Sequence, residues 1–180
     1  MLELVYGQDQ FIVPWICNIL NIKNPYPCVA IGITRNNQLI GAALYNNLHL
    51  DIYGKPLFIE MSFATIDKHW STRGIISTLL AYPFCQLRVK RVQSTVWKKN
   101  RRVRAFLEGL GFKLEGIGRQ AWPQGGDACM YSMLNREYFT GKWTPNGKKH
   151  PLSTSSARSN GDIGSANRIE QGYSSLQFRA

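Results

Sequence analysis

The sequence predicts an α/β fold in which strands and helices alternate through one domain, followed by a polar C-terminal tail. Three observations carry this. Of 180 residues, 44% are hydrophobic, enough to build a single full-sized core. Apolar periodicity switches repeatedly between two and 3.6 residues, and reading it along the chain gives the order β-α-β-β-β-α-β-α-β-β. The composition then changes near Thr144, beyond which Ser, Asn and Gly dominate and large apolar residues are few. Such a segment cannot form a core of its own. The domain is therefore placed at residues 1–143 and the tail at 144–180.

Each element follows from local pattern. LELVY is a short strand. QDQFIVPWICNIL reads as a helix with Phe11, Trp15 and Ile19 on one stripe and Pro14 in its first turns. CVAIGIT, the turn RNNQ and LIGAALY form a hairpin, since Asn tolerates the left-handed conformation that such turns demand. LFIEMSFATI is the next strand, and HWSTRGIISTLLAYPF carries a small-residue turn into an apolar helix ending near Gln86. VKRVQSTVW is a strand. NRRVRAFLEGLGF is a helix capped by Asn100, with Val103, Phe106, Leu107 and Leu110 on the i, i+3, i+4, i+7 stripe and Gly111 at its end. FKLEGIGRQAW and ACMYSML are the last strands, on either side of the turn PQGGD. In the tail, Tyr173, Leu176 and Phe178 are the apolar anchors for docking on the chain's own domain, a neighbouring subunit or another protein.

Charge narrows the partners. The formal net charge of +11 favours an anionic partner, whether nucleic acid, a nucleotide cofactor or an acidic protein surface. The run RVKRVQSTVWKKNRRVR, Arg88 to Arg104, contains no acidic residue and encloses Trp97. It fits the phosphates of a coenzyme or of a nucleic acid. No apolar run approaches the roughly 18 residues that span a bilayer, and MLELVYG has no basic region leading an apolar one, so a soluble, cytoplasmic chain without a membrane partner is expected. Cys17, Cys28, Cys85 and Cys129 are widely spread with no C-x-x-C spacing. Buried reduced thiols are expected, with neither a metal site nor a disulfide framework.

The strand, tight turn and helix N-terminus around Gly74 aim backbone N–H groups and a partial positive charge at one point, which suits a phosphate. An ordinary strand-to-helix connection uses the same elements. What separates the two is the second half of the chain. NRRVRAFLEGLGFKLEG, with Asn100 opening an apolar helix that ends in Leu110-Gly111-Phe112 before a strand beginning at Glu115-Gly116, and the continuation GRQAWPQGGDACMYSML resemble the GNAT superfamily of N-acyltransferases. The resemblance covers Leu2 to Leu134 and extends to compact GNAT-like proteins of tailed phages.

That resemblance implies a mixed central sheet of about six to seven strands flanked by helices, and acetyl-coenzyme A as cofactor. The family's turn, Gln/Arg-x-x-Gly-x-Gly/Ala, binds the pyrophosphate. Gly74 matches its first glycine, while Ser71 stands at the Gln/Arg position and Ile76 at the second small one. The candidate cofactor contacts are Ser71, Thr72, Arg73, Gly74, Ile75 and Ile76, together with Asn100. The β-branched Ile76 is expected to narrow the space for the ligand. Relatives place a general base on the strand before the turn, where Glu60 lies between Ile59 and Met61, a strand setting whose burial would raise its proton affinity. The position of their Tyr acid is Leu107 here, leaving Tyr131 and Ser132 as substitutes by location; Asp67 and His69 flank the turn as further candidates.

Three functions follow from these residues. The first is an N-acetyltransferase moving an acetyl group from acetyl-CoA to an amine. The second is a catalytically silent GNAT-fold phage virion or assembly protein that docks through its tail. The third is a nucleic-acid modifying or binding protein on the same scaffold.

Overall fold

A computed structural model describes residues 1–144. The tail, with Tyr173, Leu176 and Phe178, lies outside the described residues. The elements are β1 (Leu2–Val5), α1 (Asp9–Leu20), β2 (Cys28–Arg35), β3 (Gln38–Leu50), β4 (Pro56–Thr65), α2 (Arg73–Ala81), β5 (Arg91–Trp97), α3 (Arg101–Leu110), β6 (Lys113–Gly118), β7 (Ala128–Leu134) and α4 (Asn135–Thr140). The seven strands form one mixed sheet in the order β1-β2-β3-β4-β5-β7-β6. All neighbours are antiparallel except β4 and β5.

The hairpin forms where the Asn pair predicts it. Asn36 and Asn37 adopt φ of 50° and 61°, matching the right-handed twist of β2 and β3. Asn100 caps α3 by accepting the Val103 N–H at 3.2 Å, and Gly111 closes it at φ 101°. Leu107 and Leu110 point into the core, whereas Val103 lies on the rim of the expected stripe and is 37% exposed.

Helices cover both faces of the sheet. On one face α2 and α3 pack Ile75, Ile76, Leu79, Leu80, Leu107 and Leu110 against Ile59, Met61, Val92 and Tyr131. On the other, α1 buries Ile12, Val13, Ile16 and Cys17 against Ala30, Ala42, Leu44 and Ala64. This corrects the expected stripe of α1, because Phe11 is 66% and Ile19 39% exposed. The sheet under α1 is built of small residues, and a Cβ on Gly32 would lie 3.0 Å from Ile12 Cδ1. Close approach of helix to sheet suits the compact Ile12/Val13/Ile16/Cys17 face and leaves the larger rings outside.

Three other expectations change. The helix after the turn is α-helical only to Ala81 and widens into a π turn over Tyr82–Gln86, where Leu87 N–H reaches Tyr82 C=O and Pro83 supplies no donor of its own. The short helix α4 was not legible; it buries Tyr138, which stacks on Phe84 at 4.7 Å between centroids. All four cysteines are free thiols, but only Cys17 and Cys129 are buried, while Cys85 is exposed. Burial, with the Asp9 carboxylate nearby, pushes the half-buried Cys28 thiol up to about 11. Among the described residues no helix is long and apolar enough to cross a membrane.

Candidate active site

The parallel pair at the centre of the sheet is short. β4 and β5 are in register only at Phe58–Arg91, Ile59–Val92 and Glu60–Gln93, although β4 continues to Thr65 and β5 to Trp97. Both remain paired to their outer neighbours, β3 and β7. Past Glu60 the two strands part, held at the apex by the Ser94 hydroxyl donating to Met61 C=O at 2.5 Å. The result is a wedge whose inner edges leave main-chain groups for an extended ligand. Phe63 of β4, Trp70 of the following turn and Phe106 of α3 meet with centroids 5.6 to 6.3 Å apart, joining the diverging half of β4 to α3.

The Gly74 turn stands at the open end of β4. Thr72 is the N-cap of α2, its hydroxyl accepting the Ile75 N–H at 3.4 Å, and Ile76 N–H bonds to Thr72 C=O at 3.0 Å. Of the candidate amide donors, those of Ser71, Arg73 and Gly74 have no acceptor among the described residues. Nothing lies within 4 Å of a Cβ built on Gly74, so the fold itself does not require glycine there. The open cradle and the three unused donors fit a pyrophosphate. Ile76 does not obstruct it: its side chain is 2% exposed and sits in the core. Helical geometry turns it inward, because Ile75, Ile76, Leu79 and Leu80 fall on the face of α2 that meets the sheet. Arg73 donates to Lys142 C=O at 2.5 Å and lies over the Trp143 ring at 5.8 Å. Ser77 donates to Trp143 C=O at 2.6 Å, so the end of the domain is fastened along α2.

At the apex of the wedge, Glu60 is half-buried and held from three sides. Its Oε1 accepts from Gln93 Nε2 at 2.9 Å, and its Oε2 accepts from Asn47 Nδ2 at 2.7 Å and Asn46 Nδ2 at 3.4 Å. Two consecutive residues of β3 reach one carboxylate because the strand bulges between Asn46 and His49 and Asn47 takes φ 52°. A carboxylate offers about four lone-pair sites, so one remains for a proton. Asn46, Asn47 and Gln93 escaped sequence reasoning. The consecutive Asn pair inside a strand was the available signal, since Asn enters the left-handed region more readily than most residues.

Glu60 and Tyr131 are not brought together. Register places Glu60, Gln93 and Ser132 in one row on one face, and the two-residue strand period puts Tyr131 on the other. There it is fully buried, donating to Glu108 at 2.7 Å and accepting from Arg104 Nε at 3.1 Å. Burial raises its pKa, the Arg104 bond opposing the rise and the Glu108 bond adding to it. Ser132 shares the Glu60 face, but its hydroxyl is committed to Glu115, as is the Arg91 guanidinium. That guanidinium holds the Glu115 carboxyl below the usual range. Asp67 pairs with Arg35 at 2.7 Å and accepts the His69 N–H at 2.7 Å, which sets the loop ahead of the turn. Asn100 is engaged as the α3 cap.

No family model matches the chain, and no curated protein matches it in sequence. Solved structures match in shape. A spermidine N-acetyltransferase from Vibrio cholerae aligns with a TM-score of 0.59 at 16% identity, over 76% of this chain and 95% of that one. A spermidine/spermine N-acetyltransferase structure from the same organism gives 0.61 at 18%, over 77% and 97%. The ribosomal-protein-S5-alanine acetyltransferase from Vibrio fischeri gives 0.58 at 13%, over 76% and 93%. Seven strands in mixed order, parted at the central parallel pair and flanked by helices on both faces, are the GNAT fold, and the domain has that fold.

Proposed function

We propose that the protein is a GNAT-type N-acetyltransferase that transfers the acetyl group of acetyl-CoA to an amine. The observation that carries this reading is the conjunction of the β4–β5 wedge, the open Gly74 turn at its mouth and a half-buried carboxylate at its apex. Acetyl-CoA supplies the acetyl thioester. The Arg73 and Gly74 amides and the α2 N-terminus bind its pyrophosphate, with Thr72 and Ser71 shaping the turn. Amide groups of Asn46, Asn47 and Gln93 fix the Glu60 carboxylate so that its remaining lone pair takes the proton of the incoming ammonium, leaving a neutral amine to attack. Tyr131 has no part in this, being sealed behind α3. As the C–S bond breaks, coenzyme A leaves as the thiolate and the new amide nitrogen gives up its second proton, which neutralises the thiolate through solvent, so no dedicated acid is needed. The experiment is a thiol-release assay with acetyl-CoA and a panel of amines; the reading predicts turnover that Glu60→Gln suppresses.

A second reading, a silent GNAT-fold assembly protein of a phage virion, draws support from Leu107, which fills the position of the relatives' acid with a core side chain. It predicts no thiol release with any amine, and binding of a protein partner that is lost when residues 145–180 are deleted.

A further inference from the structure

Away from the wedge, a cavity of about 680 Å³ opens where β5 ends and α3 begins, its lining including Trp97, Lys99, Arg101, Gly126 and the paired Lys98 and Asp127. An indole is part of its wall. Trp97 is the last residue of β5 and 37% exposed, an unusual position for the largest aromatic side chain. The β6–β7 loop holds this ring in place: Gly126 has φ 99°, and a Cβ there would come within 3.3 Å of Trp97 Nε1. The loop can pass so close only as glycine.

The charges around the ring are unbalanced. Lys98 is paired with Asp127 at 2.9 Å, but Lys99, Arg101 and Arg102 have no ion pair among the described residues. Lys99 instead lies 5.6 Å over the indole. Arg101 and Arg102 open α3, whose first turn carries no acidic residue. Cations at a helix N-terminus oppose the macrodipole, so this arrangement disfavours the free domain and is relieved by an anion. An aromatic platform ringed by uncompensated cations meets the two halves of one ligand class, a flat base and its phosphate.

We propose that this cavity is a nucleotide site, in which a base stacks on Trp97 in place of the Lys99 ammonium and its phosphate is held by Lys99, Arg101 and the start of α3. The base belongs either to a single strand or to a free nucleotide, and the site stands whether or not the domain transfers acetyl groups. The test is fluorescence anisotropy of a labelled ten-nucleotide oligouridylate with the full chain, with AMP and coenzyme A as competitors. Trp97→Ala weakens binding by roughly tenfold and Trp97→Phe largely preserves it, as expected for a stacking platform. The double variant Lys99→Gln/Arg101→Gln lowers the slope of log K against log salt by about 1.4, the value for two phosphate contacts on a single strand. Saturable binding that AMP leaves undisturbed assigns the site to single strands, and displacement by AMP at equal concentration assigns it to free nucleotides. Equal affinity of Trp97→Ala and the parent, binding of neither probe, or displacement by coenzyme A but not by AMP overturns the proposal; in the last case the cavity is part of the acyl-donor site.

Discussion

Gly74→Ala separates what the turn does for folding from what it does for a ligand. Gly74 is the second residue of α2, is exposed, and has open space where a methyl group would stand. Alanine there removes backbone freedom from the unfolded chain and stabilises the helix by about 0.5 kcal/mol, the lower end of the range because the site is in the first turn. In a domain of this size that raises Tm by about 1–2 °C. The same methyl group intrudes where phosphate oxygens approach the Arg73 and Gly74 amides. At 100 times Kd, acetyl-CoA stabilises the parent by about 2.7 kcal/mol. If the variant binds tenfold more weakly, the same concentration stabilises it by only about 1.4 kcal/mol. The order of melting temperatures therefore inverts: without ligand the variant melts higher, and with saturating acetyl-CoA it melts lower by about 2–3 °C. Thermal melts followed by circular dichroism with and without ligand read this directly. A variant that keeps its lead at saturating acetyl-CoA refutes the placement of the pyrophosphate, and one destabilised without ligand refutes the account of the turn.

Three further outcomes are expected. Glu60→Gln lowers kcat by about 10²- to 10⁴-fold, the range for loss of a positioned general base, while calorimetry finds the acetyl-CoA Kd unchanged; equal turnover removes Glu60 from the chemistry. Ile76→Ala costs about 2–5 kcal/mol in urea unfolding because it opens a core cavity, and leaves acetyl-CoA affinity unaltered where the domain is folded, whereas tighter binding would restore the idea that Ile76 blocks the turn. The Arg91 and Ser132 bonds hold Glu115 below its ordinary range, and Lys98 does the same for Asp127. Their stabilisation is complete above the unfolded pKa values of about 4 and is lost as pH falls through the lower folded values. Glu115→Gln should then give a shallower decline of Tm below about pH 5 than the parent, and superimposable curves would show that the pair contributes nothing.

The fold was legible where local pattern and tertiary structure ask the same thing of a residue. The Asn36-Asn37 turn, the Asn100 cap and the Gly111 stop are each set by backbone conformation within a few residues, so the sequence displays them openly. Helix α1 was misread in facing because two stripes share its period, and the choice between them rests on Gly32, Ala30 and Ala42 across the sheet. Ile76 was misjudged for a similar reason: spacing within the turn motif suggests proximity to a ligand, while the helical phase that turns its side chain inward depends on where α2 begins. Of the site, the turn and the carboxylate could be named in advance. The amides that hold Glu60 could not, since Asn46, Asn47 and Gln93 converge only through a bulge and a parallel pairing that join distant segments.

The central claim is that acetyl-CoA binds at the α2 N-terminus and in the β4–β5 wedge, and amide chemical shifts of the ¹⁵N-labelled chain during titration with acetyl-CoA test it most directly. Saturable shifts are expected at Ser71, Arg73 and Gly74, the turn amides without acceptors among the described residues, with further shifts along β4 from Met61 to Thr65 where that strand parts from β5. Absence of shifts at millimolar acetyl-CoA, or shifts confined to the surroundings of Trp97, would contradict it.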